Sequence, residues 1–159
     1  MNARLETVLL AEDNSDDVFF LQRALHKADV GARIQVIANG QAAIDYLRVV
    51  VEHGDTTNHP SPSLVLLDLK IPYVSGFDVL KWIRDQPALV NLPVVILTSS
   101  PERRDREMAA ALGASGYLVK PPTEAMMREL FAPQGVGQTE RVSPHRAPGG
   151  TTGRTVTIF

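Results

Sequence analysis

Five times along the chain a short apolar run is followed by a segment whose apolar residues recur at helical spacing, and this alternation limits the available folds more than any other feature. The runs are TVLLA (Thr7 to Ala11), RIQVIA (Arg33 to Ala38), LVLL (Leu64 to Leu67), VVIL (Val94 to Leu97) and GYLV (Gly116 to Val119). Behind them come SDDVFFLQRALHKA (Ser15 to Ala28), GQAAIDYLRVVV, GFDVLKWIRD, ERRDREMAAAL and TEAMMRELF. Strands separated by whole helices are too far apart for hairpins and are spaced as parallel crossovers require. The pattern predicts an α/β fold: a five-stranded parallel sheet, doubly wound, with helices on both faces.

At 159 residues the chain is long enough for one domain and a single apolar core. After Phe131 the composition changes to a Pro- and Gly-rich stretch, so the reading is a domain over 1–131 and a tail over 132–159. The tail ends in TVTIF, which is β-prone and is expected to dock on its own domain or on a dimer mate, or else to fray. The chain contains no cysteine, which removes disulfides, thiolate metal sites and cysteine nucleophiles and suits a cytoplasmic setting. No run approaches the ~20 residues of a membrane span, and the opening apolar run is broken by Glu12 and Asp13, so neither membrane nor secretion is expected. A net charge of −2 offers no basic footprint for nucleic acid.

The carboxyl ends of the strands carry more specific information. Glu12 and Asp13 come directly after the first strand, Asp68 ends the third, Thr98 comes after the fourth and Lys120 after the fifth. In an open parallel sheet these ends share one edge, where ligands bind. Three carboxylates brought together repel one another unless a cation sits among them. An oxygen-only set without His or Cys favours a hard ion, Mg²⁺ (or Mn²⁺). A carboxylate can also attack a phosphoryl group, so Asp68 becomes a candidate nucleophile, with Lys120 and the Thr98 hydroxyl available to the phosphoryl oxygens.

Taken singly these residues have plainer readings. Glu12, Asp13 and Asn14 would form a helix-capping cluster beside Ser15 as a candidate N-cap, with Asp16 and Asp17 serving the helix dipole. Thr98-Ser99-Ser100 before Pro101 would cap the fourth helix, Lys120 would be a solvated surface lysine, and Tyr117 would be packing in an edge strand. Their order and convergence favour the shared chemistry. His26, His53, His59 and His145 have no metal-like spacing.

With AEDN, LLDLKIP followed by Gly76, LTSS and GYLVKPP in sequence, the chain resembles the receiver domains of two-component response regulators, particularly the single-domain regulators paired with bacterial phytochromes. The resemblance spans Glu6 to Phe131. It implies a flavodoxin-like fold with strand order 2-1-3-4-5, Asp68 as phosphoacceptor, and Glu12, Asp13, Asp68 and the Lys70 backbone carbonyl as metal ligands. It further implies that Thr98 binds the phosphoryl group, that Tyr117 is a rotating switch aromatic, and that Lys70, Ser99 and Ser100 govern access and turnover. The Lys120–Pro121 bond is expected to be cis.

Implied partners are a histidine kinase, which the phytochrome likeness narrows to a bacteriophytochrome, and a downstream protein or phosphotransfer partner. A second copy could bind through the face of the fourth helix, fifth strand and fifth helix. Ile71 stands where Met is frequent, and the last helix is short, which bears on that output face. The expected activity is not that of a conventional enzyme: phosphorylation from phosphodonors and self-catalysed loss of the phosphoryl group. Rival readings are a degenerate receiver, an aspartate-nucleophile phosphatase and a flavin carrier. The phosphatase lacks a second acid two residues after Asp68, where Lys70 stands, and EDNSDD is a poor phosphate cradle for a flavin.

Overall fold

A computed structural model describes residues 6–132. The elements run in the order β1 (Glu6–Ala11), α1 (Ser15–Lys27), β2 (Ala32–Ile37), α2 (Gly40–His53), β3 (Leu64–Leu67), α3 (Gly76–Asp85), a 3-10 turn (Pro87–Leu89), β4 (Val94–Thr98), α4 (Arg103–Ala111), β5 (Gly116–Val119) and α5 (Glu124–Leu130). All neighbouring strands pair in parallel, in the order β2-β1-β3-β4-β5. The expected boundary at 131/132 falls at the edge of the described residues; 133–159, including TVTIF, lie outside them. Among the described residues no helix is long and apolar enough to cross a membrane.

Alternation along the strands divides the core in two. Leu9, Ala11, Val65, Leu67, Val94 and Ile96 face α2 and α3, where Ala43, Leu47, Val79, Leu80 and Ile83 are buried. Val8, Leu10, Leu64, Leu66, Val95 and Leu97 face α1 and α5, against Leu21, Ala24, Leu25, Met127 and Leu130. Because successive strand side chains point to opposite faces, an uninterrupted apolar run such as Leu64 to Leu67 is what a strand covered on both sides requires.

Caps fix where the helices begin. Asn14, rather than Ser15, caps α1: its side chain accepts from the backbone N–H groups of Asp16 and Asp17 at 2.9 and 3.1 Å. Asn39, Ser75 and Thr123 cap α2, α3 and α5 in the same way. The α4 helix starts at Arg103 behind Glu102 with no side-chain cap, and the Ser100 hydroxyl upstream is used elsewhere. Gly113 (φ +92°) ends the α4 region in the left-handed conformation, as a helix stop should, whereas Gly116 opens β5.

Arg84 ties the sheet's far side together. Its Nε donates to the Gly113 carbonyl at 2.9 Å, and Nη1 donates to the carbonyls of Leu92 at 2.8 Å, Leu89 at 3.3 Å and Val90 at 3.4 Å. One guanidinium thus joins the end of α3, the turn into β4 and the turn into β5. Replacing Arg84 by Met keeps the apolar stem and strands the carbonyls, so we expect urea denaturation to show a loss of about 2–3 kcal/mol. A loss below about 0.5 kcal/mol would mean that water satisfies those carbonyls equally well.

Candidate functional site

The carboxyl ends of the strands bring five separate segments together. Glu12 lies just past β1 and is 3% exposed, held by the N–H of Asn14, which donates to Glu12 Oε1 at 3.1 Å. Asp68, just past β3, is also buried, and the Lys70 N–H donates to its Oδ1 at 3.3 Å. Asp13 is exposed beside them. Carboxylate oxygens of Glu12, Asp13 and Asp68 all lie within 4.8 Å of one another. This donor set of hard oxygens, partly open to solvent, fits Mg²⁺, which keeps several waters and accepts few protein ligands.

Lys120 closes the site from β5. Its Nζ donates to Asp68 Oδ2 at 2.8 Å, to Asp17 Oδ2 at 2.8 Å and to Glu12 Oε2. Its backbone N–H donates to the Thr98 carbonyl at 2.8 Å, and the following bond to Pro121 is cis. Burial works against the ammonium, but the hydrogen bonds to Asp17, Asp68 and Glu12 outweigh it and hold Lys120 above the usual lysine range. That contribution to stability is complete below lysine's ordinary pKa and is lost only as pH rises through the higher folded value, so Lys120 is charged at neutral pH.

Glu12 is shifted in the same direction, with the opposite consequence for its charge. Burial raises the carboxyl above its usual range against the pull of Lys120 and the Asn14 N–H, and the Asp68 charge adds to the rise. A raised carboxyl contributes stability below its ordinary pKa and loses it as pH rises, so ionised Glu12 costs the fold something at neutral pH. A cation among these oxygens would relieve that cost.

The third component is built on Ser100. Thr98, wholly buried at the end of β4, accepts from the Ser100 N–H at 3.4 Å through Oγ1. The Ser100 carbonyl accepts from the Tyr117 hydroxyl at 2.7 Å. Ser100 Oγ donates to Asp105 Oδ2 at 2.6 Å and accepts from the Glu102 N–H at 3.3 Å. This is why the serines do not cap α4: Ser100 is committed to the loop. Tyr117 is 3% exposed, and the Arg106 guanidinium lies 4.6 Å from its ring centroid. Ser99 and the Lys70 side chain are exposed at the rim.

Every strand-end residue singled out in the sequence therefore lies at one edge, with Thr98 and Tyr117 joined through Ser100. Asp17 was missed. Its position in the first turn of α1 signals only a favourable helix dipole, and nothing local in the sequence reports that it faces a lysine 103 residues away.

Residues 8–132 match the response regulator receiver domain. The response regulator Rcp1 of Synechocystis sp. is 33% identical over 79% of this chain and 82% of its own length. A structure of Rcp1 in its Mn²⁺-bound form covers 77% of this chain and 87% of that one, with a TM-score of 0.65 and 31% identity. The phosphorylated cyanobacterial phytochrome response regulator RcpA gives a TM-score of 0.66 at 30% identity, over 79% of this chain and 88% of that one. The bacteriophytochrome response regulator AtBRR gives 0.68 at 36%, over 80% and 90%. Fold, strand-end chemistry and likeness over most of the chain agree, and the chain belongs to the response regulator receiver family of two-component signalling.

Proposed function

We propose that Asp68 accepts a phosphoryl group in a Mg²⁺-dependent reaction, and that the resulting acyl phosphate changes the protein surface around Thr98, Ser100 and Tyr117. The observation that carries this reading is the juxtaposition at Asp68: a buried carboxylate with an ammonium 2.8 Å away and two further carboxylates in reach. That RcpA is described as phosphorylated, and Rcp1 as Mn²⁺-bound, supports it by analogy.

A carboxylate oxygen of Asp68 attacks phosphorus, an O–P bond forms, and the bond from phosphorus to the donor breaks with its electrons leaving on the donor group. Glu12, Asp13, Asp68 and the Lys70 carbonyl would hold Mg²⁺, which supplies neutralisation of charge on the phosphoryl oxygens. Lys120 pairs with a phosphoryl oxygen and the Thr98 hydroxyl donates to another. Ser99 and Lys70, at the rim, govern the approach of water and hence the lifetime of the acyl phosphate. No further enzymatic turnover is assigned. The donor is a histidine kinase, a bacteriophytochrome by the likeness to AtBRR and RcpA, and the setting is the cytoplasm. The recipient of the signal is a protein, either a downstream partner or a second copy at the α4–β5–α5 face.

The test is intact-mass measurement after acetyl phosphate and Mg²⁺, with and without chelator. A gain of about 80 Da that disappears with chelator is expected. No gain under any phosphodonor would instead make the chain a phosphate-independent interaction module.

The Ser100 node predicts how the signal leaves. When the Thr98 hydroxyl turns toward a phosphoryl oxygen, the Ser100 N–H loses its acceptor and the carbonyl holding Tyr117 is free to move. Thr98→Ala should therefore still be phosphorylated on Asp68 while losing the phosphate-dependent change in amide exchange over residues 100–120. An unchanged exchange shift in that variant would refute the coupling.

A further inference from the structure

Lys120 has three N–H donors, and each is taken by a different carboxylate: Glu12, Asp17 and Asp68. Two of those acceptors belong to the cluster fit for a cation, and Asp17 does not. We propose that Asp17 is a positioning residue for Lys120: it anchors the ammonium at the mouth of the site when the oxygens of Glu12 and Asp68 are engaged by a cation and a phosphoryl group. The proposal rests on Asp68 being the phosphoacceptor.

The anchor is itself fixed. Asn14 accepts from the backbone N–H groups of Asp16 and Asp17, and α1 is pinned to the sheet by Leu21, Ala24 and Leu25. Lys120, in contrast, ends a flexible four-carbon stem whose ordering is costly. Once Glu12 and Asp68 turn to other ligands, two Lys120 N–H groups are released toward the phosphoryl oxygens while Asp17 retains the third. The lysine then changes partners without leaving the site. Without Asp17, the ammonium would have to be recaptured from solvent at the moment it is needed.

The experiment compares the parent with Asp17→Asn, Asp17→Ala and Asp17→Glu. The first readout is independent of phosphoryl transfer: the ¹H–¹⁵N signal of the Lys120 ammonium in protein loaded with Mg²⁺ and beryllofluoride. The parent should show a slowly exchanging signal, Asp17→Asn and Asp17→Ala should lose it, and Asp17→Glu should keep it. The second readout is the rate of phosphorylation by acetyl phosphate at saturating Mg²⁺. Loss of one charge-assisted hydrogen bond to the lysine should slow it about tenfold in the Asn and Ala variants, with recovery in Asp17→Glu. Parent-like Lys120 exchange together with a parent-like rate in Asp17→Asn would overturn the proposal. So would a slowed rate that Asp17→Glu fails to restore while Lys120 stays protected throughout. If the parent takes no phosphoryl group, it is the phosphoacceptor reading that fails; a phosphorylated parent whose Lys120 signal is no better protected than that of Asp17→Asn overturns the anchoring alone.

Discussion

Asp68→Asn should gain no mass from acetyl phosphate and Mg²⁺ under conditions where the parent gains about 80 Da, because the amide matches the carboxylate in shape but is not a nucleophile. The loss is expected to be complete rather than partial. Asp13, although carboxylate-bearing and close by, is exposed, whereas Asp68 is buried with the Lys120 ammonium 2.8 Å from its Oδ2. The fold should persist, since Lys120 retains Glu12 and Asp17 as partners in the variant. Melting and far-ultraviolet dichroism establish that persistence, and peptide mapping of the parent locates the added group. A mass gain in Asp68→Asn would move the acceptor to another residue.

The second large effect comes from a residue with no chemistry at all. A Cβ on Gly76 would lie 2.3 Å from the Asp68 carbonyl oxygen and 2.7 Å from the Leu69 Cα, so the first turn of α3 and the backbone carrying Asp68 cannot both stay where they are. Gly76→Ala should therefore lower the unfolding free energy by about 1–3 kcal/mol or more and slow phosphorylation even in the molecules that remain folded. Gly54→Ala is the control: its φ of +71° makes the change strained, but nothing lies within 4 Å of the added Cβ. The Gly54 ψ of −156° places it in a region that essentially only glycine visits, so the change should cost about 1–3 kcal/mol and leave the phosphorylation rate alone. Equal rates in the Gly76→Ala variant and the parent would mean that the Asp68 loop is not braced by α3.

That contrast also shows what could be read from the sequence. Gly76 is legible as a glycine before a helix, but the reason for it, contact with the backbone of Asp68, exists only once β3, the loop and α3 are folded together. The five strand-helix units were legible because the interior runs such as Leu64 to Leu67 and Val94 to Leu97 are apolar throughout, as strands buried on both faces must be, while the edge strand β2 carries Arg33 and Gln35 and is nowhere fully buried. The order of the strands was not legible from periodicity, because alternation is the same for every permutation of a parallel sheet; the family likeness supplied it. The site residues were legible because a polar residue at the end of an apolar run is conspicuous. Asp17 and the Ser100 node were not, since helix-dipole acids and loop serines are ordinary in any sequence. At α1 the sequence offers both Asn14 and Ser15 as good caps, and only the turn geometry chooses Asn14.

The wide separation of Lys120 from its partners has a consequence for the chain during its synthesis. The ammonium reaches Glu12 across 108 positions and Asp68 across 52, and among the described residues β5 is the last strand to be made and lies at the sheet's edge. A nascent chain that has released β1 through β4 from the ribosome has its acidic residues but lacks the lysine that completes them. On the proposed reading, acceptance of a phosphoryl group at Asp68 then waits until β5 has emerged and docked.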